Sequence, residues 1–191
     1  KDSSRKNAAN VMKVCKSMLR FCQSRAFIKQ TKLFDIELKA IGEKSSVGHR
    51  NLELHEVAKL WIEVGRMKST PATKNCIKLL VIFGARNSEL RQADRSEFDL
   101  DRMVWQLPAH RSKTSKPIRR PIPKLAMQLI KELDELYGSS GYLIPGAHKG
   151  TCLTTHSVAQ AIKRIWGKLH MKHKTDEFTA HDFRRTVSTR L

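Results

Sequence analysis

"PATKNCIKLLVIFGARNSEL" runs from Pro71 to Leu90, and its punctuation sets the fold class. Thr70 and Pro71 supply an N-cap and a first-turn proline. Ile77, Leu80 and Val81 then recur at helical spacing, and Gly84 ends the helix. A second helix start follows at once, around "NSELRQA" (87–93). Leu54, Val57, Ala58, Trp61 and Val64 mark a helix upstream. Downstream, Ala126, Leu129, Ile130, Leu133 and Leu136 line one helix, and Val158, Ala161, Ile162, Ile165 and Leu169 another. "YGSSGYLIPGAHKG" (137–150) reads as the loop between them. "MVWQLP" (103–108) and "PIRRPIP" (117–123) flank a polar, basic connection, the pattern of a β-hairpin with an exposed tip. The prolines restrict its second strand to a short or edge role. The expected fold is therefore mainly α with a small antiparallel β-hairpin or sheet, an α+β domain.

The ends of the chain carry further helical signals. In "TAHDFRRTVSTRL" (179–191), Thr179 and Asp182 have the spacing of an N-cap and its reciprocating acid. Phe183, Val187 and Leu191 predict one buried face, with His181 and Arg184 on the opposite surface. Near the start, Val11, Cys15, Met18 and Cys22 form an apolar stripe, which one helix cannot bury alone. Residues 1–48 hold eleven basic and four acidic residues, and "EKSSVGHRN" (43–51) has a linker's composition. The chain opens on Lys1 and closes within a helix, so both ends read as cuts in a longer protein.

A total of 37 Lys and Arg against 18 Asp and Glu gives a formal charge of +19. Such an excess calls for a polyanionic partner, nucleic acid first. No apolar run approaches the roughly 20 residues needed to span a bilayer, and no lipidation or secretory signal occurs. Cys15, Cys22, Cys76 and Cys152 form no CxxC and no zinc spacing, and read as thiols of a reduced cytoplasm.

Three places hold basic groups that packing does not require. In "GARNSEL" (84–90), Arg86 sits beside a helix N-terminus, where free N–H groups already favour anions. An ion pair with Glu89 is the plain alternative, and is compatible with holding the arginine for a ligand. In "HRSKTSKPIRR" (110–120) the basic residues have no counter-charge: residues 102–124 include seven Lys and Arg and no acid. A solvated charge run is the ordinary explanation. Lys113 near the tip can nonetheless reach a groove or an active site. His181 and Arg184 complete the set. Two arginines to neutralise non-bridging oxygens, a lysine to protonate a leaving oxygen and a histidine to move a proton suffice for phosphoryl transfer without a metal.

These motifs resemble those of the tyrosine recombinases, the phage-type integrases. "FGARNSEL" (83–90) is similar to the family's first arginine motif, with Arg86 as the catalytic arginine and Glu89 as its supporting carboxylate. "SKTSKPIRRPI" (112–122) resembles the hairpin lysine motif, in which Lys113 and Pro121 fit. "TAHDFRRT" (179–186) resembles the His-x-x-Arg motif, with His181 and Arg184 as the catalytic pair.

The resemblance implies a tyrosine-recombinase catalytic domain over residues 51–191, C-terminally incomplete. Residues 1–25 would be the last helix of a truncated core-binding domain and 26–50 the interdomain linker. It implies a site-specific recombinase in the cytoplasm that cuts and rejoins double-stranded DNA through a 3′-phosphotyrosyl intermediate. It further implies a homotetramer on two DNA sites, aided by DNA-bending accessory proteins, with no cofactor, metal or membrane. Lys116 and Arg119 become DNA-binding candidates. The family's nucleophilic tyrosine follows the His-x-x-Arg motif. Only seven residues follow Arg184 here, and Tyr137 and Tyr142 precede the motif, so no residue of the chain is assigned that role. Two alternatives remain open: a non-catalytic DNA-binding module derived from an integrase, and a type IB topoisomerase-like enzyme.

Overall fold

The computed structural model describes residues 2–42, 50–138 and 141–190. Most of the proposed linker stretch 43–51, and Ser139, Ser140 and Leu191, lie outside the described residues. The chain forms two compact units, Lys1–Gly48 and His49–Leu191.

In the first unit, α1 spans Asp2–Ser24, followed by a 3-10 turn at Lys32–Phe34 and the short α2 at Leu38–Ile41. Residues 26–42, read from sequence as linker, thus carry two helical turns of their own. Lys16 ties them to α1, its Nζ donating to the carbonyls of Phe34 (2.9 Å) and Ile36 (2.5 Å). Within the predicted apolar stripe of α1, Val11 and Met18 are exposed, as are nearby Val14 and Phe21, while Cys15 and Cys22 are half-buried.

The second unit is built around α4, Pro71–Phe83. Thr70 accepts a hydrogen bond from Thr73 N (3.3 Å) and Pro71 occupies the first turn, as the sequence predicts. Cys76, Ile77, Leu79 and Leu80 are fully buried. Around α4 pack α3 (Leu54–Arg66), α5 (Asn87–Arg91), α6 (Lys124–Tyr137), α7 (Thr155–His173) and α8 (Ala180–Arg190). Two faces differ from their sequence-based expectation. On α3, Leu54 and Ala58 are exposed, and the covered face is Val57, Leu60, Trp61 and Val64. On α6, Leu136 is exposed in the last turn.

The β-hairpin gains a third strand that the sequence pattern did not reveal. β1 (Phe98–Asp99), β2 (Val104–Leu107) and β3 (Ile118–Pro121) form an antiparallel sheet in that order. Trp105 lies opposite both Phe98 and Arg120. Its ring is fully buried, stacked on Phe98 with centroids 5.2 Å apart and tilted against Phe83, the last residue of α4, at 5.1 Å. That contact fixes the sheet beside the corner where α4 ends.

The same corner receives α8. Gly84 takes φ 53°, the left-handed conformation that closes helices and suits glycine. A Cβ at Gly84 would stand 2.8 Å from Val187 Cβ on α8, so the absence of a side chain also permits the close approach. On α8 the buried positions are Asp182, Phe183 and Thr186, with Val187 half-buried.

Candidate active site

Arg86 follows the α4 corner and precedes α5. Its Nη1 donates to Glu89 Oε1 at 2.6 Å and its backbone N–H to Glu89 Oε2 at 3.1 Å. The i,i+3 spacing brings the two onto one surface, and the acid satisfies a backbone donor at the helix start as well as the guanidinium. Glu89 is 2% exposed, whereas Arg86 keeps 32% of its side chain open. Burial alone raises the Glu89 carboxyl. Hydrogen bonds from the Arg86 side chain and backbone, with the charges of Arg120 and Arg86, outweigh it and hold the group below the ordinary value of 4.5.

At the start of α8, Asp182 accepts from Thr179 N and Thr179 Oγ1, both at 2.8 Å. The reciprocating acid of the predicted pair is in place, with the Thr179 hydroxyl donating to it, and this orders the turn that carries His181. Arg184, one turn further, donates through Nη1 to Gly84 O at 3.0 Å. A carbonyl two residues before Arg86 therefore anchors the guanidinium of Arg184. His181 is exposed and borders two cavities. One, of about 590 Å³, is lined by Arg86, Ser88, Lys163, Thr179 and His181 among others. The other, of about 290 Å³, is lined by His181, Arg184, Arg185 and Asn51. Arg86, His181 and Arg184, nearly a hundred residues apart in sequence at the extremes, are brought to one surface.

Lys113 is exposed in the connection between β2 and β3 and borders neither of these cavities. The same connection has Ser112 buried and Ser115 at φ 53°. Lys116 and Arg119 are exposed as well, Arg119 on the outward face of β3. Tyr137 and Tyr142 are half-buried and border neither cavity; Arg95 donates to the Tyr137 carbonyl at 2.9 Å.

Sequence reasoning missed Arg120, which alternates with Arg119 and so faces inward. Its Nη2 donates to Glu89 Oε2 at 2.7 Å, and its guanidinium carbon stands 4.8 Å from the centre of the Trp105 ring. Trp105 Nε1 in turn donates to Glu97 Oε2 at 3.0 Å. Glu97 pairs with Arg111, whose Nη2 donates back to the Glu89 carbonyl at 2.5 Å. The only available signal was strand alternation opposite a buried tryptophan, and that needs the register.

All four cysteines are free thiols. Burial pushes the Cys76 thiol up to about 12, so it is inert, and Cys152 Sγ lies 3.0 Å from Arg91 Nη1. Among the described residues no cluster of three or more His, Cys, Asp or Glu could hold a metal ion. No helix among them is long and apolar enough to cross a membrane.

Comparison with known proteins gives a consistent answer. The sequence pattern of the phage integrase family matches residues 50–191. The integrase of Enterobacteria phage P4 is 30% identical over 108 residues, covering 50% of this chain and 24% of that protein. Prophage integrase IntZ of Escherichia coli K12 is 27% identical over 118 residues, covering 62% and 28%. The chain thus spans about a quarter of the length of these relatives. In fold it matches lambda integrase, solved as a tetramer bound to a Holliday junction, with a TM-score of 0.69 at 16% identity, covering 94% of this chain and 52% of that one. It also matches the Tn1549 transposon integrase in complex with circular intermediate DNA, with a TM-score of 0.67 at 16% identity, covering 95% and 64%. The chain belongs to the phage integrase family, and its fold is that of a tyrosine-recombinase catalytic domain.

Proposed function

We propose that the chain is the phosphate-gripping part of a site-specific DNA recombinase. One observation carries the reading: Arg86 and His181 border one cavity, His181 and Arg184 the next, and a buried carboxylate holds Arg86. In this reading Arg86 and Arg184 clamp the scissile phosphate and stabilise the charge that develops on its non-bridging oxygens. A tyrosine hydroxyl attacks the phosphorus, a 3′-phosphotyrosyl bond forms and the bond to the 5′ oxygen breaks. Lys113 gives that leaving oxygen its proton, reaching it by movement of the exposed hairpin connection. His181 assists proton transfer at the attacking hydroxyl. In this reading neither Tyr137 nor Tyr142 is the nucleophile, and no residue of 1–191 is assigned that role. Lys116 and Arg119 contact the DNA backbone. Residues 1–25 and 26–50 serve as core-binding helix and linker, 51–191 as catalytic domain. The active assembly is a homotetramer on two duplexes, with DNA-bending proteins as accessories.

The test uses the complete protein and a duplex that it selects from a random-sequence DNA pool, nicked near the cut position to trap the covalent intermediate. We expect a 3′-linked protein–DNA adduct that Arg184→Ala abolishes while most duplex binding remains. Adduct formation undiminished by Arg184→Ala would show the site to be misassigned. Strand transfer between duplexes, as opposed to supercoil relaxation, separates the recombinase from a topoisomerase. Binding with no adduct at all leaves a non-catalytic DNA-binding module.

A further inference from the structure

Glu89 is the one carboxylate of the candidate active site that serves two cations from different elements. Arg86 takes Oε1 from the start of α5, and Arg120 takes Oε2 from β3. A carboxylate paired with Arg86 alone would cancel its charge and leave a neutral pair facing the DNA phosphate. The second cation changes this balance: two guanidinium groups and one carboxylate leave a net positive charge, on the side where Arg86 is open. Arg120 is the less accessible of the two arginines, with 12% of its side chain exposed against 32% for Arg86. Its place over Trp105, with the ring centre 4.8 Å away, fixes the fork in the orientation that meets Glu89. Arg184 and Arg86 are close enough for their charges to act on Arg120.

We propose that Arg120 is a positioning residue for the recombination reaction, acting through Glu89 to hold Arg86 in place and keep its positive charge available to the scissile phosphate. The proposal rests on the recombinase reading above. It also gives the sheet a role beyond carrying Lys113: the strand opposite Trp105 supports the arginine of the α4–α5 corner.

The measurement is single-turnover formation of the covalent adduct by the complete protein on the selected, nicked duplex, with duplex Kd measured in parallel. Arg120→Gln should slow adduct formation roughly 10- to 100-fold, as loss of an outer supporting partner commonly does, with Kd changed less than about threefold. The decisive comparison is a double-mutant cycle. In a Glu89→Gln background, Arg120→Gln should slow the reaction by less than about threefold more, because its target is already neutral. Arg120→Lys keeps the cation but not the fork stacked on Trp105, so its rate should fall between those of Arg120→Gln and the unsubstituted protein. It also decides the matter if thermal melting shows Arg120→Gln to be unfolded. A full additional loss in the Glu89→Gln background, a parallel loss of Kd, an unchanged rate in Arg120→Gln, or an Arg120→Lys protein as slow as Arg184→Ala would each overturn the proposal. Absence of adduct from the unsubstituted protein removes the recombinase reading and this proposal with it, whereas normal adduct formation with additive losses removes this proposal alone.

Discussion

Glu89 is the residue on which both charge and position depend. Its carboxyl lies below the ordinary 4.5 in the folded protein, because the hydrogen bonds of Arg86 and the charges of Arg120 and Arg86 outweigh its burial. A carboxyl depressed by folding stabilises the fold above the unfolded value, and the contribution is lost as pH falls through the lower folded value. Glu63, held down chiefly by its hydrogen bond from Lys172, acts in the same window. Glu89→Gln should therefore cost on the order of 3 kcal/mol at pH 7, the range for breaking a buried pair. The gap in Tm from the unsubstituted protein should narrow as the pH drops below 4.5. A gap unchanged between pH 7 and pH 3 would mean that ionised Glu89 contributes nothing. Gly84 is a second single-residue constraint. Gly84→Ala must accept φ 53° and a contact of 2.8 Å with Val187 Cβ. Thermal denaturation should show a loss of about 1–3 kcal/mol. Adduct formation should fall as well, since Arg184 is anchored on the carbonyl of this residue.

Among the elements, α4 was the most legible, because its cap, first-turn proline and closing glycine are all local signals. Thr70→Ala should cost about 1 kcal/mol by denaturant titration, the ordinary value of a lost N-cap. The α8 turn was equally plain from Thr179 and Asp182. The sheet was half legible. Alternation around Trp105 announced β2, and the prolines announced an edge-like β3, but β1 is only two residues long and lacks a period of its own. It forms because Phe98 stacks on Trp105, a contact that no local pattern encodes. The connection between β2 and β3 carries the candidate general acid. Lys113→Ala should leave duplex affinity within about twofold while slowing adduct formation by about 10²–10⁴, as loss of a general acid does. Replacing the 5′ bridging oxygen by sulfur should restore the rate, because a thiolate leaves without a proton. A sulfur substrate that stays equally slow would deny Lys113 the role of acid.

For the protein taken together, the governing quantity is the charge of +19. Each phosphate neutralised on binding releases counterions, with a slope of log K on log salt of about −0.9 per contact. Fluorescence anisotropy with a duplex should give a slope of about −3 or steeper between 50 and 200 mM salt. A flat response would mean that the basic surface does not meet DNA. The carboxylates are not spread evenly against this charge. Glu63, Glu89 and Glu97 are buried and each is paired with Lys or Arg, so they hold elements together and do little to screen the exterior.

Local sequence is enough for the helical class, the limits of α4, the presence of a basic hairpin and the choice of Arg86, Glu89, Lys113, His181 and Arg184 as the candidate set. These are set by neighbours within about four residues or by short motifs, and so survive without knowledge of the fold. Tertiary structure alone decided that Arg184 hangs from the Gly84 carbonyl, that His181 stands between two cavities and that Arg120 shares Glu89 with Arg86. Each of those contacts joins residues 31 to 100 positions apart or depends on strand register. The physical reason is the packing of the core: Phe83 against Trp105 and α8 against the glycine corner bring charged groups together that the chain, read in order, keeps apart.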